Sequence, residues 1–451
     1  MRKIRNVNEP SDTEGDINLS PRRLEWSKNN IDTKSQKLLS EDSKYFLHQS
    51  LSTPCLNVLE ASDGIYLEDL QGRKIMDFHG NSVHQVGHGN KRVIAAIKEQ
   101  LDILPFCPRR YTNKVAIELA ERLTCLAPGN LNKVLFAPGG TNAIGMALKL
   151  ARYATGRHKT ISMWDSFHGA SLDAISIGGE KLFRKDVGPL MPGTEHVPPP
   201  TRGKCHFNCP DENHDGCINY LEYVIEMEGD IGAVVAEPMR WTTVELPPPN
   251  YWKRVRDICT KNDVLLIFDE IPSALGRTGK MFVCEHFDVE PDMLVIGKGL
   301  GGGVFPMAAL LANDDLNVVE DKALGHYTHE KSSVGCAAAL ATIDCLMEDG
   351  LLDNAVTLGN SGLQQLEALK LKHPIIHEVR GLGLFYGIDL RVDGKPASNE
   401  ADSILYHSLS NGLSYKVGGG SILTLCPPLT INNDELTQAF NIIENGINSL
   451  N

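Results

Sequence analysis

The sequence predicts an α/β protein whose core is a mainly parallel sheet. Segments with apolar residues at helical spacing alternate along the chain with short, continuously apolar runs. Such runs suit strands that are covered on both faces, and their alternation with helices is typical of parallel sheets. Three of the runs lead into a charged residue, at Glu237, Asp269 and Lys298. Because ligands bind at the carboxyl ends of parallel strands, we expect the chemistry to gather there.

The composition is that of an ordinary globular protein with an acidic surface. The chain has 451 residues, with 44 Lys+Arg against 57 Asp+Glu and a formal net charge of −13. An acidic chain has no general attraction for nucleic acid or anionic lipid. The longest apolar stretch, near 304–312, is far shorter than the roughly 18 residues of a membrane span, and the N-terminus has no apolar signal segment. We therefore expect a cytoplasmic protein that binds neither nucleic acid nor membrane.

The N-terminal part of the chain divides into two kinds of segment. Residues 1 to about 40 are polar and follow neither the helical nor the strand period, which predicts a flexible or partner-draped arm over residues 1–50. Residues 64–78 alternate apolar and polar side chains around Gly72, which predicts a surface hairpin. We assign residues 51–88 to the N-terminal part of a smaller domain.

The remaining segments predict a large domain over residues 89–325 and the C-terminal part of a smaller α+β domain over residues 326–451. In the large domain, helices are predicted at 90–104, 115–127 and 144–156, and strands at 133–137, 159–163, 233–237, 264–270 and 293–298. In the tail, long helices are predicted at 336–350 and near 353–372, followed by strand-rich segments at 378–390 and 421–431. Length alone allows two or three domains.

Two segments that follow predicted strands suit a flat, phosphorylated ligand. In APGGTNAIGMALKLAR (137–152), Gly140 and Thr141 lie between a strand and a helix, where backbone N–H groups suit a phosphate. Glycines in an ordinary turn are the alternative. In SFHGASLD (166–173), Phe167 offers a surface on which a planar ring can stack, and His168 follows it. A buried core phenylalanine is the alternative there.

Asp269 and Lys298 add an acid and an amine at the ends of successive strands. A carboxylate at the end of an apolar strand is costly unless it meets a cation or a protonated heterocycle, although helix capping or a core ion pair would also satisfy it. Lys298 precedes a run of glycines and could act as an amine nucleophile, or be a solvated surface lysine. Together with the phosphate cup, the pair matches the needs of pyridoxal phosphate. In that cofactor a lysine forms the Schiff base and an acid keeps the pyridine nitrogen protonated.

The segment FDEIPSALGRTGKMFVCEHFDVEPDMLVIGKGLGGGVFP (268–306) resembles the signature of the class-III aminotransferase family, and the resemblance runs from about residue 50 to the end. It implies the pyridoxal-phosphate fold of type I, with Lys298 as the Schiff-base lysine and Asp269 as the pyridinium partner. It further implies Gly140 and Thr141 as phosphate ligands, Phe167 as the stacking residue beside His168, and Glu237 near the cofactor. Thr328 matches a threonine that reaches the cofactor phosphate from the other subunit, which implies a homodimer with shared active sites.

Departures from the family pattern bear on the reaction. Members that alternate between an amino donor and 2-oxoglutarate often carry a glutamate and an arginine at positions that are Thr242 and Thr424 here. Cations appear elsewhere: Arg240 replaces a usual glutamine, Lys331 lies in the Thr328 loop, and Arg110 with Tyr111 resembles a segment of the phospholyase branch of the family. Each basic residue alone is more often a solvated charge. Together they favour an anionic substrate group such as a phosphate or phosphonate.

The resemblance as a whole implies an ammonia-lyase of phosphonate breakdown. Its substrate would be a small aminophosphonate, (R)-1-hydroxy-2-aminoethylphosphonate, and its products phosphonoacetaldehyde and ammonia. An ω-aminotransferase that uses the same lysine and a keto acid acceptor is the alternative, and a catalytically silent cofactor-binding protein is disfavoured because the lysine and aspartate are both present.

One cysteine cluster stands apart from these motifs. Cys205, Cys209 and Cys217 lie close together in the sequence, with His206 and His214 nearby. Their spacing fits no usual zinc pattern well, so the sequence favours a Pro- and Asn-rich surface loop with no metal.

Overall fold

The structure is a computed structural model that describes residues 20–49, 52–201, 205–210 and 213–450. Its helices are α1 Pro21–Asn30, α2 Thr33–Tyr45, α3 Lys91–Ile103, α4 Lys114–Leu126, α5 Gly140–Thr155, α6 Leu172–Ile177, α7 Lys181–Arg184, α8 Asp215–Glu228, α9 Tyr251–Lys261, α10 Ser333–Glu348, α11 Leu351–Lys372, α12 Ser398–Ser410 and α13 Asn433–Asn448. Its strands are β1 Leu59–Asp63, β2 Tyr66–Asp69, β3 Lys74–Asp77, β4 Lys133–Ala137, β5 Lys159–Met163, β6 Thr194–Val197, β7 Ile231–Ala236, β8 Leu265–Asp269, β9 Met293–Ile296, β10 Ala308–Ala312, β11 Ile376–Gly381, β12 Tyr386–Val392, β13 Lys395–Pro396, β14 Leu413–Ser414, β15 Lys416–Gly418 and β16 Ile422–Leu425.

A seven-stranded sheet forms the centre of the molecule, in the order β4-β10-β9-β8-β7-β5-β6. Strands β9, β8, β7, β5 and β6, which are neighbours in that order, are all parallel. Strand β10 runs antiparallel to both of its neighbours, β4 and β9. The prediction of an α/β fold with a mainly parallel sheet is therefore confirmed. Strands β6 and β10 were not predicted, because the first is short and polar and the second lies within an apolar stretch interrupted by Pro306.

The central strands are apolar without alternation because both of their faces are covered. Val234 and Leu266 belong to one buried apolar cluster, and their neighbours Val235 and Ile267 belong to another. Successive side chains of a strand point to opposite faces, so the two clusters are the two sides of the sheet. Burial on both sides explains why the continuous apolar runs located these strands in the sequence.

Segments from both ends of the chain meet beside the large sheet. Strands β2 and β3 form the predicted hairpin, and β3 pairs in parallel with β14, so that Met76 lies opposite Leu413. A further sheet has the order β11-β12-β16-β15, with β13 paired to β12. The pairing of β3 with β14 supports a smaller domain assembled from both ends of the chain, although the boundaries given above stay a prediction.

The N-terminal segment contains two helices that the sequence did not predict. In α1, Arg23 and Trp26 are buried, and Trp26 Nε1 donates a hydrogen bond of 3.1 Å to Ser410 Oγ on α12. The prediction of a segment without regular structure is wrong for residues 21–45. It failed because only one short face of α1 is buried, so polar residues dominate the pattern. Residues 1–19 of the predicted arm lie outside the described residues.

Among the described residues, no helix combines the length and the apolar character that a membrane crossing needs.

Candidate active site

A cavity of about 560 Å³ opens at the carboxyl ends of the parallel strands, where the sequence predicted the chemistry. Residues that follow β5, β7, β8 and β9 reach it, together with the first turn of α5. The predicted site residues that line it are Gly140, Thr141, Phe167, His168, Glu237, Arg240, Asp269 and Lys298. The fold thus brings together eight residues that are spread over nearly 160 positions of the sequence.

Asp269 is held in a fixed orientation at the wall of this cavity. Its Oδ2 lies 2.8 Å from Nδ1 of His168, and its Oδ1 accepts a hydrogen bond of 3.1 Å from the backbone N–H of Ile271. Both side chains are buried. A carboxylate with two such partners is oriented as well as stabilised, which suits an acid that must face one atom of a bound ring.

The neighbouring Glu270 binds backbone N–H groups and does not line the cavity. Its two oxygens accept hydrogen bonds from the N–H groups of Val283 and Cys284, at 2.6 and 2.7 Å. Full burial raises the pKa of Glu270 to about 7 in spite of these bonds. The two adjacent acids therefore have separate positions, Asp269 at the cavity and Glu270 in the supporting loop.

Lys298 begins a 3-10 helix, Lys298–Gly301, directly after β9 and Gly297. Its φ angle is +46°, in the left-handed region that costs a residue with a side chain about 1–3 kcal/mol. The turn is compact, since a Cβ at Gly299 would lie 2.0 Å from Gln85 Oε1. The lysine Nζ lies 4.6 Å from the centroid of the Trp241 ring. This strained turn directs a lysine into the cavity, over an aromatic face.

The first turn of α5 forms a narrow cup on another side of the cavity. Thr141 Oγ1 is 2.8 Å from Ser171 Oγ, and Gly169 has a φ angle of +125°. A Cβ at Gly169 would lie 2.3 Å from Thr141 Oγ1, so no larger residue fits there. The first turn of a helix presents backbone N–H groups without intrahelical acceptors, and its dipole favours negative charge. The cup therefore suits a phosphate group.

Glu237, Arg240 and Glu180 form a charged network beside Phe167. Arg240 donates to Glu237 Oε1 at 2.7 Å and to Glu180 Oε2 at 3.0 Å, and the backbone N–H of Phe167 donates to Glu237 Oε1 at 3.0 Å. The network is mostly buried, with the Arg240 side chain 16% exposed. Arg240 therefore lines the cavity as predicted but balances two carboxylates, which reduces the positive charge it presents to a ligand.

Lys416 lines the same cavity and was missed in the sequence. It lies on β15 at 7% exposure, with its Nζ 4.4 Å from the centroid of the Trp241 ring. Lys298 and Lys416 thus place two ammonium groups against one aromatic ring. A single lysine before the GGG run at 418–420 belongs to no recognisable pattern, so only the folded chain could locate it.

Arg110, Tyr111, Thr328 and Lys331 are exposed and do not line this cavity in the single chain. Their two segments lie side by side: Arg109 contacts His326 at 2.7 Å, and the Asn113 side chain donates to the carbonyl oxygen of Lys331 at 3.1 Å. The structure therefore groups these residues with each other and apart from Lys298.

Thr242 and Thr424, at the positions of the family's switching glutamate and arginine, are in contact. Thr424 Oγ1 donates a hydrogen bond of 2.7 Å to the carbonyl oxygen of Thr242, and both residues are buried. A neutral, buried contact stands where an ion pair would be expected in an enzyme that accepts 2-oxoglutarate.

The profile of the class-III aminotransferases matches residues 48–447, and the chain belongs to this family. It is 48% identical to the (R)-1-hydroxy-2-aminoethylphosphonate ammonia-lyase of Vibrio splendidus (strain 12B01), over 96% of this chain and 95% of that protein. It is also 30% identical to the isoleucine 2-epimerase of Lentilactobacillus buchneri, over 92% of this chain and 95% of the other.

A solved structure extends the comparison to the fold. An amine transaminase from an uncultivated Pseudomonas species, in its pyridoxal-phosphate-bound form, superposes with a TM-score of 0.82 at 30% identity, covering 90% of this chain and 99% of the other. The predicted fold of the pyridoxal-phosphate enzymes is therefore confirmed. The residues present here fit that cofactor, because they supply an oriented acid, a lysine, an aromatic ring and a phosphate cup around one cavity.

Proposed function

We propose that this protein is a pyridoxal-phosphate-dependent ammonia-lyase that converts (R)-1-hydroxy-2-aminoethylphosphonate to phosphonoacetaldehyde and ammonia. The 48% identity to a lyase of that name over nearly the full chain supports the proposal. The observation in this structure that carries it is the buried contact between Thr242 and Thr424. Without a charged pair there, the site has no switch for a dicarboxylate acceptor, and a lyase needs none.

Each wall of the cavity has a role in holding the cofactor. Asp269, fixed by His168 and the Ile271 N–H, would bind the protonated pyridine nitrogen. Gly140, Thr141 and the first turn of α5 would bind the phosphate, while Phe167 would cover a face of the ring and Glu237 would lie near it. When bound, pyridoxal phosphate supplies an electron sink for negative charge that develops on the carbon bearing the amine.

Lys298 would link to the cofactor and then move a proton. Its free amine, which lies 4.6 Å from the centroid of the Trp241 ring, would be placed to remove a proton from the amine-bearing carbon of the substrate. Loss of that proton and of hydroxide from the adjacent carbon yields an enamine, which water hydrolyses to the aldehyde and ammonia. Trp241 itself is 6% exposed, so this aromatic ring is fixed in the wall of the cavity.

The anionic end of the substrate needs a cation in the same cavity. Lys416 meets this need, because it is buried, lines the cavity and shares the Trp241 ring with Lys298. Because the Nζ atoms of Lys298 and Lys416 lie 4.6 and 4.4 Å from the same ring centroid, they are at most about 9 Å apart. This separation suits a substrate that spans only a few atoms. Arg240 adds charge nearby, offset by Glu237 and Glu180.

We further propose a cytoplasmic homodimer in which Thr328 completes the phosphate site of the partner subunit. Thr328, Lys331, Arg110 and Tyr111 are exposed on adjoining segments of the single chain, as residues that serve a neighbouring subunit would be. In this arrangement Arg110 and Lys331 would approach the substrate of the partner subunit.

An ω-aminotransferase is the second candidate, because solved relatives such as the Pseudomonas enzyme are transaminases. Both candidates use Lys298, so its loss does not separate them. Incubation of the purified enzyme with the hydroxylated aminophosphonate, with and without a keto acid, does separate them. Continuous ammonia release without the keto acid supports the lyase, whereas dependence on it supports the aminotransferase.

A further inference from the structure

Three cysteines and a histidine converge where the segment after β6 leads into the first turn of α8, away from the chemistry described above. One donor atom from each of Cys205, Cys209, His214 and Cys217 lies within 4.8 Å of the other three. The Sγ atoms of Cys205 and Cys217 are 3.3 Å apart, and Cys217 Sγ is 3.6 Å from His214 Nδ1. His214 and Cys217 are buried, and the other two are half-buried.

The four donor atoms are close enough together to surround a single metal ion. Zn²⁺ binds thiolates at about 2.3 Å and imidazole nitrogen at about 2.0–2.1 Å, so neighbouring sulfurs in a tetrahedron stand roughly 3.8 Å apart. The sulfur–sulfur distance of 3.3 Å between Cys205 and Cys217 is shorter than that value, and all four donor atoms lie within 4.8 Å of one another, close enough for one ion to contact them all. Three sulfurs and one nitrogen are a soft donor set that favours zinc over calcium or magnesium, which prefer oxygen ligands.

The surrounding backbone is shaped around these donors. His214 directly precedes α8 and has a φ angle of +51°. This backbone conformation places its ring beside Cys217, three residues later. The backbone N–H of Gly216 donates to Cys209 Sγ at 3.1 Å, a contact that stabilises a thiolate. A Cβ at position 216 would lie 2.9 Å from the same sulfur, so this close approach requires glycine.

A disulfide explains the cluster less well. The 3.3 Å between Cys205 and Cys217 Sγ exceeds a disulfide bond of about 2.05 Å, and the cysteines of the described structure are free thiols. A bond between those two would also leave the approach of Cys209 and His214 unexplained.

We propose that Cys205, Cys209, His214 and Cys217 bind one structural Zn²⁺ ion. The four protein ligands close the coordination sphere, so the ion has no open position for substrate. This reverses the sequence-based preference for a metal-free loop, which rested on spacing alone.

The site would fix the wall of a second cavity beside the active site. That cavity, of about 510 Å³, is lined by Thr201 and His206 of the same segment and by Glu180, Arg240 and Thr242. Zinc would therefore stabilise the loop that covers the Arg240 network, without taking part in the chemistry.

The test is the metal content of enzyme purified without an affinity tag, measured by plasma mass spectrometry. We expect about one zinc per chain in the wild type and in Cys125→Ser, a control at an exposed cysteine. We expect loss of that zinc in Cys209→Ser and Cys217→Ser, with a lowered melting temperature. Because these variants could fail to fold, zinc-edge X-ray absorption of the wild type provides an independent measurement, and we expect a shell of three sulfurs and one nitrogen.

Four outcomes would overturn the proposal. The first is a wild-type enzyme that is purified without zinc and takes up none when it is reduced and dialysed against zinc, and the second is zinc retained by both cluster variants. The third is an absorption spectrum that shows only oxygen and nitrogen in the first shell of the metal. The fourth is a disulfide between Cys205 and Cys217 in the mass spectrum of unreduced peptides. None of these measurements depends on the proposed reaction, so the zinc site and the enzymatic function can fail separately.

Discussion

Thr424 donates a 2.7 Å hydrogen bond from its hydroxyl to the backbone carbonyl of Thr242, across 182 positions of the sequence. The contact is buried and neutral, and Gly418 packs so closely on it that a Cβ there would lie 1.9 Å from the Thr242 oxygen. A glutamate and an arginine at these two positions would need space and hydration that this packing does not provide. The structure thus supports a site that works without a dicarboxylate acceptor.

Lys298→Ala should abolish both turnover and the visible absorbance of the lysine-linked cofactor. The reason is that no other described lysine follows β9 into the cavity, and Lys416, the other lysine in its lining, approaches from β15. Absorbance spectra and ammonia assays measure the two effects. Lys416→Ala is the matched control, and we expect it to keep the absorbance. Unchanged turnover in Lys298→Ala would remove this residue from the mechanism.

Lys416→Met should raise the Michaelis constant for the aminophosphonate roughly 10- to 100-fold, the cost of a hydrogen bond to a charged group, while the cofactor spectrum is retained. Lys416→Arg should recover most of the affinity because it keeps the charge. Steady-state kinetics give the result. If Lys416→Met binds substrate as the wild type does, the anion is held elsewhere.

Arg110→Lys and Arg110→Ala test the alternative that the partner subunit supplies the anion site. A guanidinium meets two phosphonate oxygens at once, so both changes should raise the Michaelis constant if Arg110 crosses the dimer interface. Arg122→Ala, at an exposed arginine paired with Asp344, is the control. Unchanged kinetics in both Arg110 variants would identify it as a surface residue.

Thr328→Ala should weaken cofactor retention by about 1–3 kcal/mol, since a charge-assisted hydrogen bond to the phosphate is lost. Mixed dimers of Thr328→Ala and Lys298→Ala chains distinguish the two possible arrangements. If Thr328 serves the partner subunit, each mixed dimer contains one intact site that retains cofactor tightly. Equilibrium dialysis that finds no such site would contradict the shared arrangement.

Acidification should destabilise the fold through His84. Burial lowers the pKa of His84 to about 4, and the ring lies 3.0 Å from the Asp77 carbonyl oxygen. The unfolded chain binds a proton below pH 6.5 while the native ring stays neutral, so stability is lost as the pH falls from 6.5 toward 4. Between pH 7.5 and 5.5 the loss should be about 1 kcal/mol for this group.

Urea unfolding at the two pH values, at fixed protein concentration, measures that loss. His84→Gln should show a smaller decrease than the wild type, and some decrease should remain because burial also lowers the pKa of His286 to about 4. An identical decrease in the variant would show that His84 does not titrate as described.

The sequence predicts the features that depend on neighbouring residues along the chain, and it misses those that depend on contacts between residues far apart in the sequence. Strands β4 and β5 begin and end at the predicted residues because their apolar runs are bounded by polar ones. The eight predicted residues at the cavity end a strand, follow a strand or begin α5, so their places along the chain, together with the family resemblance, located them. Lys416 and the Trp26 contact depend on distant partners, and no local pattern encodes them. The convergence of Cys205 with Cys217 likewise depends on the turn at His214, which spacing did not reveal.

The most direct test of the central claim is ammonia release by the purified enzyme from (R)-1-hydroxy-2-aminoethylphosphonate with no keto acid present. Because the lyase reaction returns the cofactor to its starting form in each cycle, we expect many equivalents of ammonia and phosphonoacetaldehyde per active site. Added 2-oxoglutarate should leave the rate unchanged. Product that stops at about one equivalent per site and resumes only when a keto acid is added would show that the enzyme is an aminotransferase.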